Sequence, residues 1–289
     1  MTTYGMRCII VLSLCAPFFY LLHVSFQKQH VQSCSVMQPD SDSFFKKQDN
    51  LFSNRCPNQP LNWTQFVARV LKPDEIWAEV RRGEKDNDGY GDFGDDFKRL
   101  LPKVFATSKS DTIRIFELGS FKGRSTIAMA KQCKELAEQH SKTCQVIAVD
   151  TWLASAEHYE VERDDIRDLY KIFLNNIKHE KLTDVVFPMR LPSTSAAHVF
   201  HCFHISADVV FVDSNHEYEN VINELQMYYP LLRPNGVLIG DDFHIKTWPG
   251  VVAAVDEFSA KMNRPYNVVR NTWSLFKDDK MEKYFWDSH

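Results

Sequence analysis

From Asp111 to Phe276 the chain alternates strand-like and helix-like segments, and this alternation restricts the fold more than any other feature. Strand patterns fall at Thr112–Leu118, Gln145–Val149, Asp184–Phe187, Asp208–Val212, Gly236–Ile239, Asn267–Val269 and Ser274–Phe276. Helical patterns lie between them at Arg124–Gln139, Glu162–Lys178, Thr194–His201, Tyr218–Leu232 and Val251–Met262. Strands that alternate with helices predict a mostly parallel sheet with helices on both faces. The run DVVFV at 208–212 has the continuous apolar character of a central parallel strand. In such sheets ligands bind beyond the carboxyl ends of the strands, so residues with chemistry belong directly after them.

The first strand ends in Phe116-Glu117-Leu118-Gly119-Ser120-Phe121-Lys122-Gly123-Arg124-Ser125. Two glycines allow a tight turn and close backbone approach. The helix that follows offers free N–H groups and a positive dipole end to an anionic group. A P-loop needs one more residue between the glycines and a lysine after the second. A dinucleotide fingerprint needs glycine where Phe121 stands. The loop is therefore E-x-G-x-x-x-G-x-S and fits neither pattern.

The second strand ends in Asp150-Thr151-Trp152, and an acid there can accept from both hydroxyls of a ribose. The fourth ends in Asp213-Ser214-Asn215-His216, the fifth in Gly240-Asp241-Asp242. Neighbouring parallel strands deliver these ends side by side. Asp213, Asp241 and Asp242 would repel one another unless a hard divalent cation sat among them, and carboxylate oxygens suit Mg²⁺ or Ca²⁺. Such a cation lowers the pKa of a bound hydroxyl. His216 is placed to take the proton, since an imidazole titrates near neutrality. The acidic stretch Glu84–Asp96 fails the calcium-loop pattern, because Tyr90 and Phe97 occupy ligand places counted from Asp86; it reads as a solvated loop.

Taken in order, these motifs resemble class I S-adenosylmethionine-dependent methyltransferases, and within them the metal-dependent O-methyltransferases. The shared marks are the glycine loop, Asp150-Thr151-Trp152, Asp213-x-x-His216-x-Tyr218, the run from Leu231 to Asp242, and Trp248-Pro249-Gly250-Val251. The resemblance covers about Asp111 to Phe276. It implies a Rossmann-like methyltransferase sheet with S-adenosylmethionine held by Glu117, Gly119, Ser120, Gly123, Ser125, Asp150, Thr151, Trp152 and Ser193, the last against the adenine. It implies a cation, Mg²⁺ by ligand type, at Asp213, Asp241 and Asp242. Asp213 and His216 would be catalytic, and the acceptor a hydroxyl of a small molecule or glycan. The catechol-type enzymes have Lys where this chain has His216 and Asn where it has Asp242. Two other readings are a membrane-anchored binding module on this fold and an NAD-dependent oxidoreductase.

Ahead of the body, Cys8–Phe26 is apolar and lacks Asp, Glu, Lys and Arg over 19 residues, close to the length of a membrane span. It predicts an N-terminal hydrophobic helix acting as a single-pass signal anchor within residues 1–30; a cleaved signal peptide, and so a secreted protein, is the rival. Residues 31–60 read as a linker or stalk, 61–110 as a helical extension with helices at Trp63–Leu71 and Pro73–Arg81, 111–277 as the α/β domain, and 278–289 as a tail. Asn62-Trp63-Thr64 is an N-glycosylation sequon that counts only in the secretory pathway. Of the seven cysteines, Cys34 and Cys56 are the candidates to pair, in the stalk. The chain has 289 residues and a net charge of −4, with no Lys/Arg stripe, which argues against nucleic acid as a partner. A homo-oligomer is compatible with the sequence.

Overall fold

The computed structural model describes residues 56, 60–80, 85–86, 93–155, 158–159 and 164–278. The predicted membrane span, most of the stalk, the greater part of the acidic loop and the tail beyond 278 lie outside the described residues. Among the described residues no helix is long and apolar enough to cross a membrane.

Seven strands form one sheet: β1 (Thr112–Leu118), β2 (Thr143–Asp150), β3 (Val186–Arg190), β4 (Ala207–Val212), β5 (Leu232–Gly240), β6 (Asn267–Val269) and β7 (Thr272–Phe276), in the order β3-β2-β1-β4-β5-β7-β6. The first five strands run parallel, and β7 is antiparallel to both of its neighbours. The register is level at the carboxyl ends. Leu118 stands beside Val149 and Val212, Asp150 beside Arg190, and Val212 beside Gly240. Five loops therefore open at one edge of the sheet.

Each central strand alternates its apolar residues between two cores, as the pleat requires. On one face Phe116, Leu118, Val210 and Leu238 pack with α6 (Ser193–Cys202), α7 (Tyr218–Tyr228) and α8 (Pro249–Met262). The short α1 (Trp63–Phe66), continued by a π turn over Val67–Leu71, joins this face through Phe66 and Leu71; α2 (Pro73–Glu79) follows it. On the other face Ile115, Ala148, Phe211 and Ile239 pack with α3 (Gly94–Thr107), α4 (Arg124–His140) and α5 (Leu169–His179).

Several boundaries differ from the expected ones. Asp95 and Asp96, read as solvated loop, lie in the first turn of α3. Asp96 is buried and accepts from Thr272 Oγ1 and Arg270 at 3.1 Å. The helix read as Tyr218–Leu232 stops at Tyr228, where a 3₁₀ turn containing Pro230 leads into β5. Proline cannot donate the helical hydrogen bond, so the strand starts at Leu232 and not at Gly236. The third strand lies at Val186–Arg190, not Asp184–Phe187, and α5 begins only after a 3₁₀ turn over Asp164–Asp168.

The expected Cys34–Cys56 pair is not formed. Cys56 bonds Cys202 at the end of α6, and Cys133 of α4 bonds Cys144 of β2. Sequence spacing cannot give connectivity, because both partners are brought close only by the folded sheet. The Cys133–Cys144 link closes a loop of sequence separation 11. Replacing both cysteines with alanine should cost about 3 kcal/mol, the chain-entropy value for a loop of that size. Chemical denaturation of the two proteins side by side measures it, and an unchanged midpoint would refute it.

Candidate functional site

The turn after β1 is shaped by what it packs against. Gly119 has φ +86°, and a Cβ there would meet the Asp213 carbonyl oxygen at 2.1 Å and Ser214 Cα at 2.6 Å. Glycine is thus required by the approach of the β4 backbone. The loop amides are then gathered by Asp150 at the end of β2. Its Oδ2 accepts the Ser120 and Phe121 N–H groups at 2.9 and 2.8 Å, and its Oδ1 accepts the Trp152 N–H at 2.6 Å. Trp152 is buried and donates its ring N–H to the Phe121 carbonyl at 2.8 Å.

Beneath the loop lies Glu117, fully buried on the α4 face. It accepts from the hydroxyls of Ser120 at 2.7 Å and Ser125 at 2.6 Å, and from Thr126. Burial raises its pKa from 4.5 to about 7 despite those hydrogen bonds. Lys122 is buried as well; its ammonium pairs with Asp86 at 2.7 Å, and the Asn176 side-chain amide donates to the Asp86 and Lys122 carbonyls. These contacts lock the loop from below and from the side.

A cavity of about 430 Å³ opens above it. Of the residues expected at a cofactor, Gly119, Asp150, Thr151 and Ser193 line this space. Glu117, Ser120, Gly123, Ser125 and Trp152 do not line it; they build the loop that does. Asp213 also lines the cavity. The α7 helix adds Asn220, Asn223 and Glu224, none of which was expected from the sequence. Their spacing was visible on a predicted helix, but a polar stripe there reads equally as a solvent face.

At the β4 and β5 ends the acids converge, with one change of membership. Asp213, His216 and Asp242 each offer a ligand atom, and the three atoms lie within 4.8 Å of one another. Asp241, expected in that set, is not one of the three. His216 Nε2 is 2.7 Å from Asp242 Oδ2, and its ring stacks on Trp248 with centroids 3.9 Å apart. Burial, then the Asp241 and Asp242 charges, hold the Asp213 carboxyl well above its ordinary value. Burial lifts Asp241 to about 6. Two carboxylates and an imidazole are a donor set that fits a divalent cation, whose charge would relieve this crowding.

Residues 116–243 match the profile of a methyltransferase-domain family. Among curated proteins it is similar to the uncharacterized protein R132 of Acanthamoeba polyphaga mimivirus, 24% identical over 167 residues, which is 56% of this chain. The match spans 66% of that relative's length. Among solved structures, an O-methyltransferase of Bacillus cereus in complex with SAH is 16% identical, with a TM-score of 0.42, covering 82% of this chain and 100% of that one. The calicheamicin methyltransferase CalS11 is 13% identical, with a TM-score of 0.48, covering 88% of this chain and 99% of that one.

Within this α/β domain, Glu117 makes stability depend on pH. Its folded pKa near 7 exceeds the ordinary 4.5, so between these values the native state binds more protons than the unfolded state. Its contribution is therefore full below pH 4.5 and lost as pH rises through 7. Glu117→Gln should remove that slope. The stability of the wild type relative to the variant should fall by up to about 3 kcal/mol across this window and stay level above it. Denaturation series at spaced pH values provide the check, and parallel curves would refute it.

Proposed function

We propose that this domain transfers a methyl group from S-adenosylmethionine to a hydroxyl oxygen of a small molecule or glycan. The observation that carries the reading is one cavity lined by Gly119, Asp150 and Asp213, the last of which also belongs to the Asp213–His216–Asp242 cluster. Asp150 would hold the ribose. An ionised carboxylate has about four lone-pair sites. Three backbone N–H groups fill three of them, which leaves capacity for a hydroxyl donor. Gly119, Thr151 and Ser193 would bound the rest of the cofactor.

Asp213, His216 and Asp242 would hold the divalent cation. A cation bound there would lower the pKa of the acceptor hydroxyl. On this reading His216 is a ligand oriented by Asp242 and Trp248, not the free base that the sequence suggested. The chain's own part is to align the acceptor oxygen with the methyl group and to keep water out, and alignment is the main lever for such a transfer.

The same reading places the domain in the secretory pathway, tethered by residues 8–26. Two disulfides favour an oxidising compartment. The sequon residue Asn62 is exposed and caps α1, where its side-chain oxygen accepts the Gln65 N–H at 2.9 Å. Expressed in a secretory host, the chain should lose mass on treatment with an N-glycan amidase, and Asn62→Gln should abolish the change. Equal masses before and after treatment would refute luminal residence.

Calorimetric titration with S-adenosylhomocysteine tests the cofactor. Micromolar binding is expected, and Asp150→Ala should weaken it at least tenfold, because a charge-assisted hydrogen bond is lost. Added Mg²⁺ should register as a separate binding event that disappears in Asp213→Asn. A folded protein that binds no S-adenosylhomocysteine would bring forward the anchored binding module on this fold.

A further inference from the structure

Two arginines from distant parts of the chain share one buried carboxylate. Asp96, in the first turn of α3, is 3% exposed. Arg99 donates to its Oδ1 at 3.4 Å, and Arg270 and the Thr272 hydroxyl donate to its Oδ2 at 3.1 Å each. One negative charge therefore faces two positive ones. A guanidinium has five N–H donors. Each arginine commits one nitrogen to Asp96, and the Arg270 side chain is 58% exposed, so donors remain open to solvent.

The fold sets this pair beside the acidic cluster. Arg270 stands in the turn between β6 and β7, at φ +58°. Strand β7 runs antiparallel to β5 with Trp273 beside Gly240, so the turn rises at the carboxyl end of β5. The Phe243 N–H donates to the Asn271 carbonyl at 2.9 Å, which ties the turn to the loop after Asp241 and Asp242. Burial, then the Asp242 and Asp96 charges, raise the Asp241 pKa, so Asp96 is within electrostatic reach of the β5 end. Neither arginine lines the cavity assigned to the cofactor.

One arginine would balance Asp96. The second leaves a positive charge over, next to carboxylates that on their own would repel an anion. Planar guanidiniums match the oxygens of carboxylates and phosphates. We infer that Arg270 and Arg99 clamp an anionic group of the methyl acceptor, which is then a hydroxylated molecule bearing a carboxylate or a phosphate, such as a uronic acid or a sugar phosphate. Its hydroxyl lies at the Asp213–His216–Asp242 cluster and its anion at the β6–β7 turn. The inference rests on the proposed methyl transfer and names the acceptor class. Both arginines set specificity; neither touches the transferred methyl group.

The test reads binding, so it needs no turnover. The full chain, saturated with Mg²⁺, is titrated calorimetrically with methyl glucoside, glucuronic acid and glucose 6-phosphate, with and without S-adenosylhomocysteine. At low ionic strength an anionic sugar should bind roughly tenfold or more tightly than the neutral one, as expected of hydrogen bonds to a charged group. The ratio should shrink as salt is raised, because the clamp is exposed. Arg270→Gln removes the charge and should bring the ratio to about threefold or less, and Arg99→Gln should move it in the same direction. Arg270→Lys keeps the charge without the fork and should retain part of the preference. Melting temperatures of the unliganded variants establish that they fold. A purely structural role would lower those temperatures and leave the ratios unchanged.

Preference for the carboxylate alone or the phosphate alone supports the clamp and identifies which anion it takes. Equal binding of neutral and anionic sugars by the wild type, or no binding of either anionic sugar, would overturn the inference. A preference that survives both glutamine substitutions belongs to the bound cation and also overturns it. Failure to bind S-adenosylhomocysteine, with an anion preference that still depends on Arg270, would remove the methyl-transfer reading and leave the anion clamp standing.

Discussion

The backbone at the end of β4 presses on the turn after β1, and the cavity depends on that contact. No side chain fits at Gly119 because the Asp213 carbonyl occupies its place. The turn is therefore forced upward, into reach of Asp150. Asp150 then gathers the loop amides and fixes their direction. A bulkier residue at 119 would separate β1 from β4 and move Asp213, so the loop and the acidic cluster form one mechanical unit.

Burial of negative charge is the second theme. Glu117, Asp213, Glu224 and Asp241 all have raised pKa values, and desolvation is the first cause in each case. They crowd around the same ends of the sheet. Such crowding costs stability, and hydroxyl donors from Ser120, Ser125, Thr126 and Ser214 offset part of it. Perturbed carboxyls gathered at a cavity are more characteristic of a working site than of a scaffold.

The sequence made the sheet legible because periodicity and strand-end motifs are local. β1 and β6 begin and end where the apolar pattern says they should. Gly119, Asp150, Thr151, Ser193 and Asp213 line one cavity for the same reason: each stands at or just beyond the carboxyl end of a strand. What escaped depends on packing between distant segments. Glu117 and Ser125 look like ligand contacts in one dimension, but they face α4 and each other. Glu224 looks like a surface residue until α7 is laid against Ser193 and Ser214. Helix α3 was masked by its acidic start and by Pro102 within it. The disulfide partners, 146 residues apart in one case, carry no local signal at all.

That long link has a topological effect. Joining Cys56 to Cys202 turns the stretch between them into a closed ring that holds β1, β2, β3 and their helices. A protease that cuts this ring once linearises it without releasing a piece. The glycine turn, the Asp150 carboxylate and the Ser193 helix start would stay attached to the strands that carry Asp213 and Asp242. For a domain facing an environment rich in proteases, a nicked molecule would remain a single covalent body until its disulfide is reduced.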